Sequence, residues 1–177
     1  LLSETIVTAF TTASAFNIGG SQLKHLFGVS CSDQVFLKIV RRLFFTDLVR
    51  AMRSENLELD FVRLSSYGKG TSSSRHVVFS KDVDCDITGK HVLIVEDVVD
   101  SGLSMQFLMR QFEARGARSL RLAALVDKNE RREVDVRVDF AGFKLEEGFI
   151  VGYGLDYAEK YRALPDVEEL VFESAGD

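Results

Sequence analysis

Apolar and polar positions are patterned from Leu37 onward and show no clear period before it. Between Leu37 and Met52, Leu43, Phe44, Leu48, Val49 and Met52 recur at spacings of four or five, which predicts a helix, or a short strand leading into one. Leu57 to Leu64 alternates apolar and polar residues and predicts a strand. SSYGKGTSSSR, residues 65–75, is small, flexible and partly basic, and reads as a loop. Val77–Phe79 and Asp86–Thr88 read as short strand pieces around a turn. HVLIVE, residues 91–96, is an apolar run closed by an acid, the text of a strand buried on both faces of a parallel sheet. Residues 103–115 place Leu103, Phe107, Leu108, Met109 and Phe112 on one helical stripe, with Gly116 as a C-terminal cap. Arg121–Val126, Phe149–Tyr153 and Glu169–Phe172 complete the predicted strands. Strand, helix and strand in close succession predict an α/β domain with a largely parallel sheet. No internal repeat and no coiled-coil heptad is present.

Composition narrows the class. The chain has 177 residues, which fits one domain, and 46% of them are hydrophobic, enough to build a core. A net charge of −5 argues against a general nucleic-acid binder, which usually carries a basic excess. No apolar run approaches the ~20 residues of a membrane span. The first residues carry Glu4 and no basic cluster, unlike a secretory signal. Cys31 and Cys85 lie far apart without metal-ligand spacing and read as reduced thiols of a cytoplasmic protein. Residues 1–36 differ from the rest: they are rich in Ser and Thr, carry only Glu4, Lys24 and Asp33 as formal charges, and are broken by Gly19–Gly20.

The chemistry concentrates in VLIVEDVVDSGLSM, residues 92–105. A buried strand ending in Glu96–Asp97, a turn over residues 98–102 and a helix from Leu103 put backbone N–H groups at a helix N-terminus. They lie on the C-terminal edge of a sheet, where open α/β sheets bind ligands. Such a terminus favours anions through its open N–H groups and its dipole. Ser101 and Ser104 add hydroxyls, and Gly102 lets a phosphate approach the backbone. Glu96 and Asp97 suit sugar hydroxyls or Mg²⁺ instead. A plain alternative is that Asp100 or Ser101 only caps the helix. Three carboxylates within five residues weaken that alternative, because they repel one another unless a cation or a hydroxyl-rich ligand shares them.

VLIVEDVVDSGLS resembles the phosphoribosyl-diphosphate (PRPP) signature of type I phosphoribosyltransferases, and more narrowly that of the hypoxanthine-guanine (6-oxopurine) branch. The resemblance runs from about Thr46 to the C-terminus and includes LDFVRLSSYG (59–68), LVDK (125–128), DFAGF (139–143) and FIVGYGLDYAEKYRALPDV (149–167). It implies a single phosphoribosyltransferase domain over 1–177, with residues 1–45 matching poorly. The implied fold is the type I one, α/β, a mostly parallel twisted sheet flanked by helices with a small hood subdomain. It implies transfer of the 5-phosphoribosyl group from PRPP to N9 of hypoxanthine or guanine, with xanthine as a further candidate, in a cytoplasmic homodimer or homotetramer that uses Mg²⁺.

Residue by residue, the resemblance gives the 5′-phosphate to the backbone of Asp100, Ser101, Gly102, Leu103 and Ser104. It gives the ribose hydroxyls and Mg²⁺ to Glu96 and Asp97, and the general-base position beside purine N7 to Asp100. Lys128 matches the donor to the purine O6, Phe149 the ring that stacks on the base, and Ile150 the backbone at the purine edge. Asp156 matches the acid near a second Mg²⁺ and the purine 2-position, Arg162 the arginine reaching toward pyrophosphate. Ser66 and Tyr67 fall in the loop that closes over the reaction, and Lys69 and Arg75 are basic residues of the same loop. One departure stands out. The family's Leu-Lys-Gly turn, whose backbone binds pyrophosphate, reads Leu37-Lys38-Ile39 here, with Arg41 and Arg42 following. That departure supports an alternative, a PRPP-sensing regulatory protein with weak catalysis.

Overall fold

The computed structural model describes residues 4–10, 34–39, 43–52, 57–67 and 76–172. Within them the order is β1 (Glu4–Phe10), β2 (Gln34–Ile39), α1 (Leu43–Met52), β3 (Leu57–Tyr67), β4 (His76–Lys81), β5 (His91–Val99), α2 (Leu103–Ala114), β6 (Ser119–Lys128), β7 (Phe140–Leu145), β8 (Phe149–Val151) and β9 (Val167–Phe172). The main sheet has the strand order β4-β3-β2-β5-β6-β7. Every neighbouring pair in it is parallel except the edge hairpin β3–β4.

β5 sits inside this sheet, and Val92, Leu93, Ile94 and Val95 are fully buried, as the unbroken apolar run requires. Side chains alternate across a strand, so the run feeds two cores. On one face Leu93 and Val95 pack with Phe44, Phe45, Leu48 and Met52 of α1. On the other, Val92 and Ile94 pack with Met105, Leu108 and Phe112 of α2. The mostly parallel sheet flanked by helices is therefore as expected. A second, antiparallel sheet, β1-β9-β8, forms the small subdomain. Its β1 lies in the stretch that shows no period, because the strand it pairs with is at the other end of the chain (Glu4↔Phe172).

Several boundaries differ from expectation. β5 continues through Val99, so the turn is only Asp100–Gly102; Val98 and Val99 pair with Val126 and Asp127. Ser65–Tyr67 are strand rather than loop, because β4 supplies partners for them, Ser66↔Val77 and Tyr67↔His76. Asp86–Thr88 form no strand; the Thr88 N–H donates to the Asp86 carboxylate and the Lys90 N–H to the Ile87 carbonyl, closing a turn over buried Ile87. β8 ends at Val151 because Gly152 adopts φ +83°, where a Cβ would stand 2.1 Å from the Asp166 carbonyl. β7 has no predicted counterpart. No helix among the described residues is long and apolar enough to cross a membrane.

Close to the Asp86–Thr88 turn, buried Asp60 accepts N–H groups from Phe61, Asp84 and Cys85 and pairs with Lys81. Burial pushes its carboxyl up, but the three backbone donors together outweigh that and bring it to about 2. Cys85 beside it is a free thiol, pushed up to about 11 by burial and by Asp60, which disfavours the thiolate. Cys31 lies outside the described residues.

Candidate active site

The C-terminal ends of β5 and β6 carry two adjoining cavities. The first, about 240 Å³, is walled by Glu96, Val99, Asp100, Ser101, Gly102 and Ser104, with Leu64 and Met105 below. The second, about 220 Å³, is walled by Lys128, Arg131, Phe149, Ile150, Leu155 and Asp156. Val98 and Asp100 line both.

The start of α2 lines the first cavity. α2 is entered through Gly102 at φ +82°, and no side chain caps it. The Ser101 hydroxyl stands 3.5 Å from the Leu103 N–H, at the outer limit of a hydrogen bond. The first helical bond runs from the Gln106 N–H to the Gly102 carbonyl, so the Ser104 and Met105 N–H groups have no acceptor within the helix. Asp100 is thus not a helix cap. Its Oδ1 is buried without a hydrogen-bond partner among the described residues, at the junction of the two cavities. The crowding at Gly102 comes from the protein itself. A Cβ there would lie 3.1 Å from the Val134 side chain and 3.1 Å from the Val134 carbonyl.

Successive β5 side chains point to opposite faces, and this splits the acidic pair. Glu96 faces the first cavity; Asp97, 5% exposed, lines neither. Asp97 lies on the α1 face near Tyr153, whose hydroxyl donates to Asp47 of α1 at 2.6 Å. Burial first, then the bond to Asp47 and the charges of Asp47 and Asp97, push the Tyr153 phenol well above its usual value.

The second cavity brings together an ammonium, an aromatic ring and a carboxylate. Lys128, with only 13% of its side chain exposed, is no solvated strand end. Its ammonium donates to the Gly148 carbonyl at 2.8 Å and pairs with Glu130 at 2.6 Å. An ammonium has three N–H donors, so a third remains for a ligand. Phe149 is 39% exposed, too open for a core residue, and is braced edge-on by Tyr157 at 5.3 Å. Asp156 reaches the cavity while held by Arg162 at 2.8 Å and by the Glu159 N–H at 3.0 Å. Arg162 itself lines neither cavity; it is committed to Asp156 and Glu159.

Most of the expected site thus converges: Glu96, Asp100, Ser101, Gly102 and Ser104 on one side, Lys128, Phe149, Ile150 and Asp156 on the other. Leu103 starts α2 behind the turn. Ser66 and Tyr67 close β3, and their side chains lie outside the described residues, as do Lys69 and Arg75. The turn after β2, with Arg41 and Arg42, also lies outside them. Sequence reasoning missed Val98, the residue that with Asp100 joins the cavities, and Arg131 and Gly148. Glycine and a charged run carry no signal of a cavity wall until the β6 and β8 ends are brought together.

Comparisons with known proteins bear on the family of this chain. A family model described as a phosphoribosyl transferase domain matches residues 36–158. The chain is 44% identical to the hypoxanthine phosphoribosyltransferase of Salmonella typhimurium over 154 residues, 86% of each chain. It is 44% identical to the hypoxanthine-guanine phosphoribosyltransferase of Bacillus subtilis over 134 residues, 74% of each. The solved hypoxanthine-guanine phosphoribosyltransferase of Bacillus anthracis superposes with a TM-score of 0.78 at 35% identity, covering 94% of this chain and 99% of that one.

Proposed function

The chain belongs to the phosphoribosyltransferase family, and we propose that it transfers the 5-phosphoribosyl group of PRPP to N9 of hypoxanthine or guanine, giving IMP or GMP and pyrophosphate. One observation carries this reading. A cavity lined by the start of α2 and a cavity lined by Lys128, Phe149 and Asp156 adjoin, and Asp100 lines both. The relatives named above are transferases, so the regulatory alternative has no support from them.

In this reading the 5′-phosphate accepts N–H groups at the start of α2, together with the Ser101 and Ser104 hydroxyls. Glu96 accepts from the ribose hydroxyls. The purine lies against Phe149, with Ile150 at its edge and the third N–H of Lys128 donated to O6. A 6-amino group would present N–H against N–H there, and a site built to pair a carbonyl rejects such an analogue. The purine N9 lone pair forms the bond to C1 of the ribose as pyrophosphate leaves with the C–O electron pair. The carboxylate of Asp100 takes the ring proton from N7, a transfer typically worth 10²–10⁴ in rate. Holding both substrates across one junction supplies much of the rest. Ser66 and Tyr67, at the end of β3, belong to the cover that keeps water out.

The donor set fits Mg²⁺ in the way Mg²⁺ is usually held. Among the described residues no three of His, Cys, Asp and Glu form a ready cage, while Glu96 and Asp156 bring one carboxylate to each cavity. One or two carboxylates, substrate phosphates and waters are the common arrangement. When bound, the ion supplies neutralisation of the charge on the departing pyrophosphate. The assignment of Asp97 to ribose or Mg²⁺ rests on the resemblance alone, and so does the reach of Arg162 to pyrophosphate.

The whole chain acts as one cytoplasmic domain that assembles as a homodimer or homotetramer. Leu43, Leu59 and Phe61, exposed on and beside α1, support a contact there, which sedimentation will measure. The activity is tested by assaying the purified protein with PRPP, Mg²⁺ and each of hypoxanthine, guanine, xanthine and adenine. Nucleotide from the 6-oxopurines and none from adenine is expected. PRPP binding without turnover of any base would restore the regulatory reading.

A further inference from the structure

The run DKNERR, residues 127–132, reads in sequence as a solvated charged stretch. Arg132 is not solvated: only 17% of its side chain is exposed. Its guanidinium lies between the two walls of the site. Nη2 donates to the Val99 carbonyl at 3.2 Å and to the Lys128 carbonyl at 3.1 Å, and also meets the Asp127 carboxylate. Nη1 donates to the Val136 carbonyl at 3.2 Å. Val99 immediately precedes Asp100; Lys128 is the last residue of β6. A single planar group therefore fixes the backbone on which the junction carboxylate and the base-contacting lysine are both mounted.

The segment around Arg132 is fastened to the phosphate turn by further bonds. The N–H groups of Glu133 and Val134 donate to the Ser101 carbonyl at 3.0 and 3.3 Å. The α-carbon of Gly102 faces Val134 and the Arg132 stem, with Arg132 Cδ 3.4 Å from where a Cβ would stand. Asp127 holds the guanidinium from β6, opposite Val99 in the ladder. Arg132 Nε is buried and has no hydrogen-bond partner among the described residues, so the hydrogen bonds of this cation are those of its two terminal nitrogens.

We propose that Arg132 is a positioning residue that holds the phosphate-binding turn and the base-binding strand end in register, so that C1 of the ribose and N9 of the purine meet beside Asp100. The proposal rests on the reading of the two cavities given above. Arg132 lines neither cavity and touches no substrate in this account. A point charge cannot replace a fork that serves four acceptors, so lysine is not a conservative exchange at this position.

The test is steady-state kinetics of Arg132→Lys and Arg132→Met against the parent protein, with PRPP and hypoxanthine varied in turn. Thermal unfolding of each variant locates a temperature at which it is fully folded, and active-site titration gives the competent fraction. The expected result is a kcat lower by roughly 10²-fold, the scale of a misplacement of about 1 Å, with the KM values of both substrates raised together. Kinetic constants within twofold of the parent would overturn the proposal. So would a rise in one KM alone, which would give Arg132 to a single wall, or a loss confined to the competent fraction, which would make its role purely one of stability. Failure of both variants to fold would overturn it in the same way. A parent protein without turnover would instead count against the proposed activity.

Discussion

The two walls of the site solve different problems with different construction. The phosphate wall is contiguous, running from Glu96 on β5 through the Asp100–Gly102 turn into α2. One left-handed residue, Gly102, is enough to aim it. The base wall draws on the end of β6, on β8 and on the stretch beyond β8. That stretch bends through Tyr153, Ala158, Glu159 and Tyr161, all at positive φ, and is tied by the Asp156–Arg162 pair and by Tyr153 to Asp47 of α1. A phosphate is recognised by groups that any strand-turn-helix offers. A base needs an apolar face, a donor at one edge and an acid at another, and no single short segment carries all three. The comparison predicts that the walls can be broken separately and that only their junction affects turnover alone.

The largest effect is expected at that junction. Asp100→Asn keeps the shape and removes the proton acceptor, so kcat should fall about 10²–10⁴-fold while the KM for PRPP changes little. An unchanged kcat would remove Asp100 from the proton transfer. Next is the base wall: Lys128→Ala should cut the preference for hypoxanthine over adenine by roughly 10–10²-fold, the worth of one charged hydrogen bond, and leave the KM for PRPP near that of the parent. Retained selectivity, read from kcat/KM for each base, would sink that assignment. On the phosphate wall, Gly102→Ala forces a side chain to φ +82° against Val134. Strain of about 1–3 kcal/mol should raise the KM for PRPP by about tenfold or more, with hypoxanthine less affected.

The smallest kinetic effect belongs to Asp60, which lines neither cavity. Its carboxyl lies at about 2, below its usual 3.8. A depressed carboxyl contributes stability above its unfolded value and loses it as pH falls toward the folded one. Asp60→Asn should therefore cost of order 2 kcal/mol near neutral pH, with the gap to the parent closing between about pH 4 and pH 2. Chemical denaturation at pH 7 and pH 3 measures it. Both KM values should stay those of the parent; a change in either would mean that the walls are not insulated from the rest of the sheet.

The same contrast decides what was legible in the sequence. β5 and α2 could be read because their evidence is local: an apolar run, an acid, a small turn and a helical stripe lie within one short stretch. Val98 and Val99 read as turn in the sequence because β-branched residues beside three acids look the same in a turn as at a strand end; pairing with β6 decides it. β7 was missed because FAGFKL holds a glycine and little alternation, and its place is set by β6. β1 needs β9 from the other end of the chain. The split of Glu96 from Asp97 follows from strand alternation once β5 is known to run past them. Arg132 could not have been found, because a buried arginine in a charged run differs from a solvated one only in what folds over it. Roles on the base wall came through family resemblance, since a lysine, a phenylalanine and an aspartate so far apart carry no signal of their own.

A crystal structure of the protein with IMP bound would test the account most directly. The nucleotide should lie across both cavities, with its phosphate on the N–H groups at the start of α2, O6 of its base within hydrogen-bonding distance of Lys128, and Asp100 beside N7. A phosphate bound away from the Asp100–Ser104 turn, or a base lying outside the Lys128–Phe149–Asp156 wall, would contradict it.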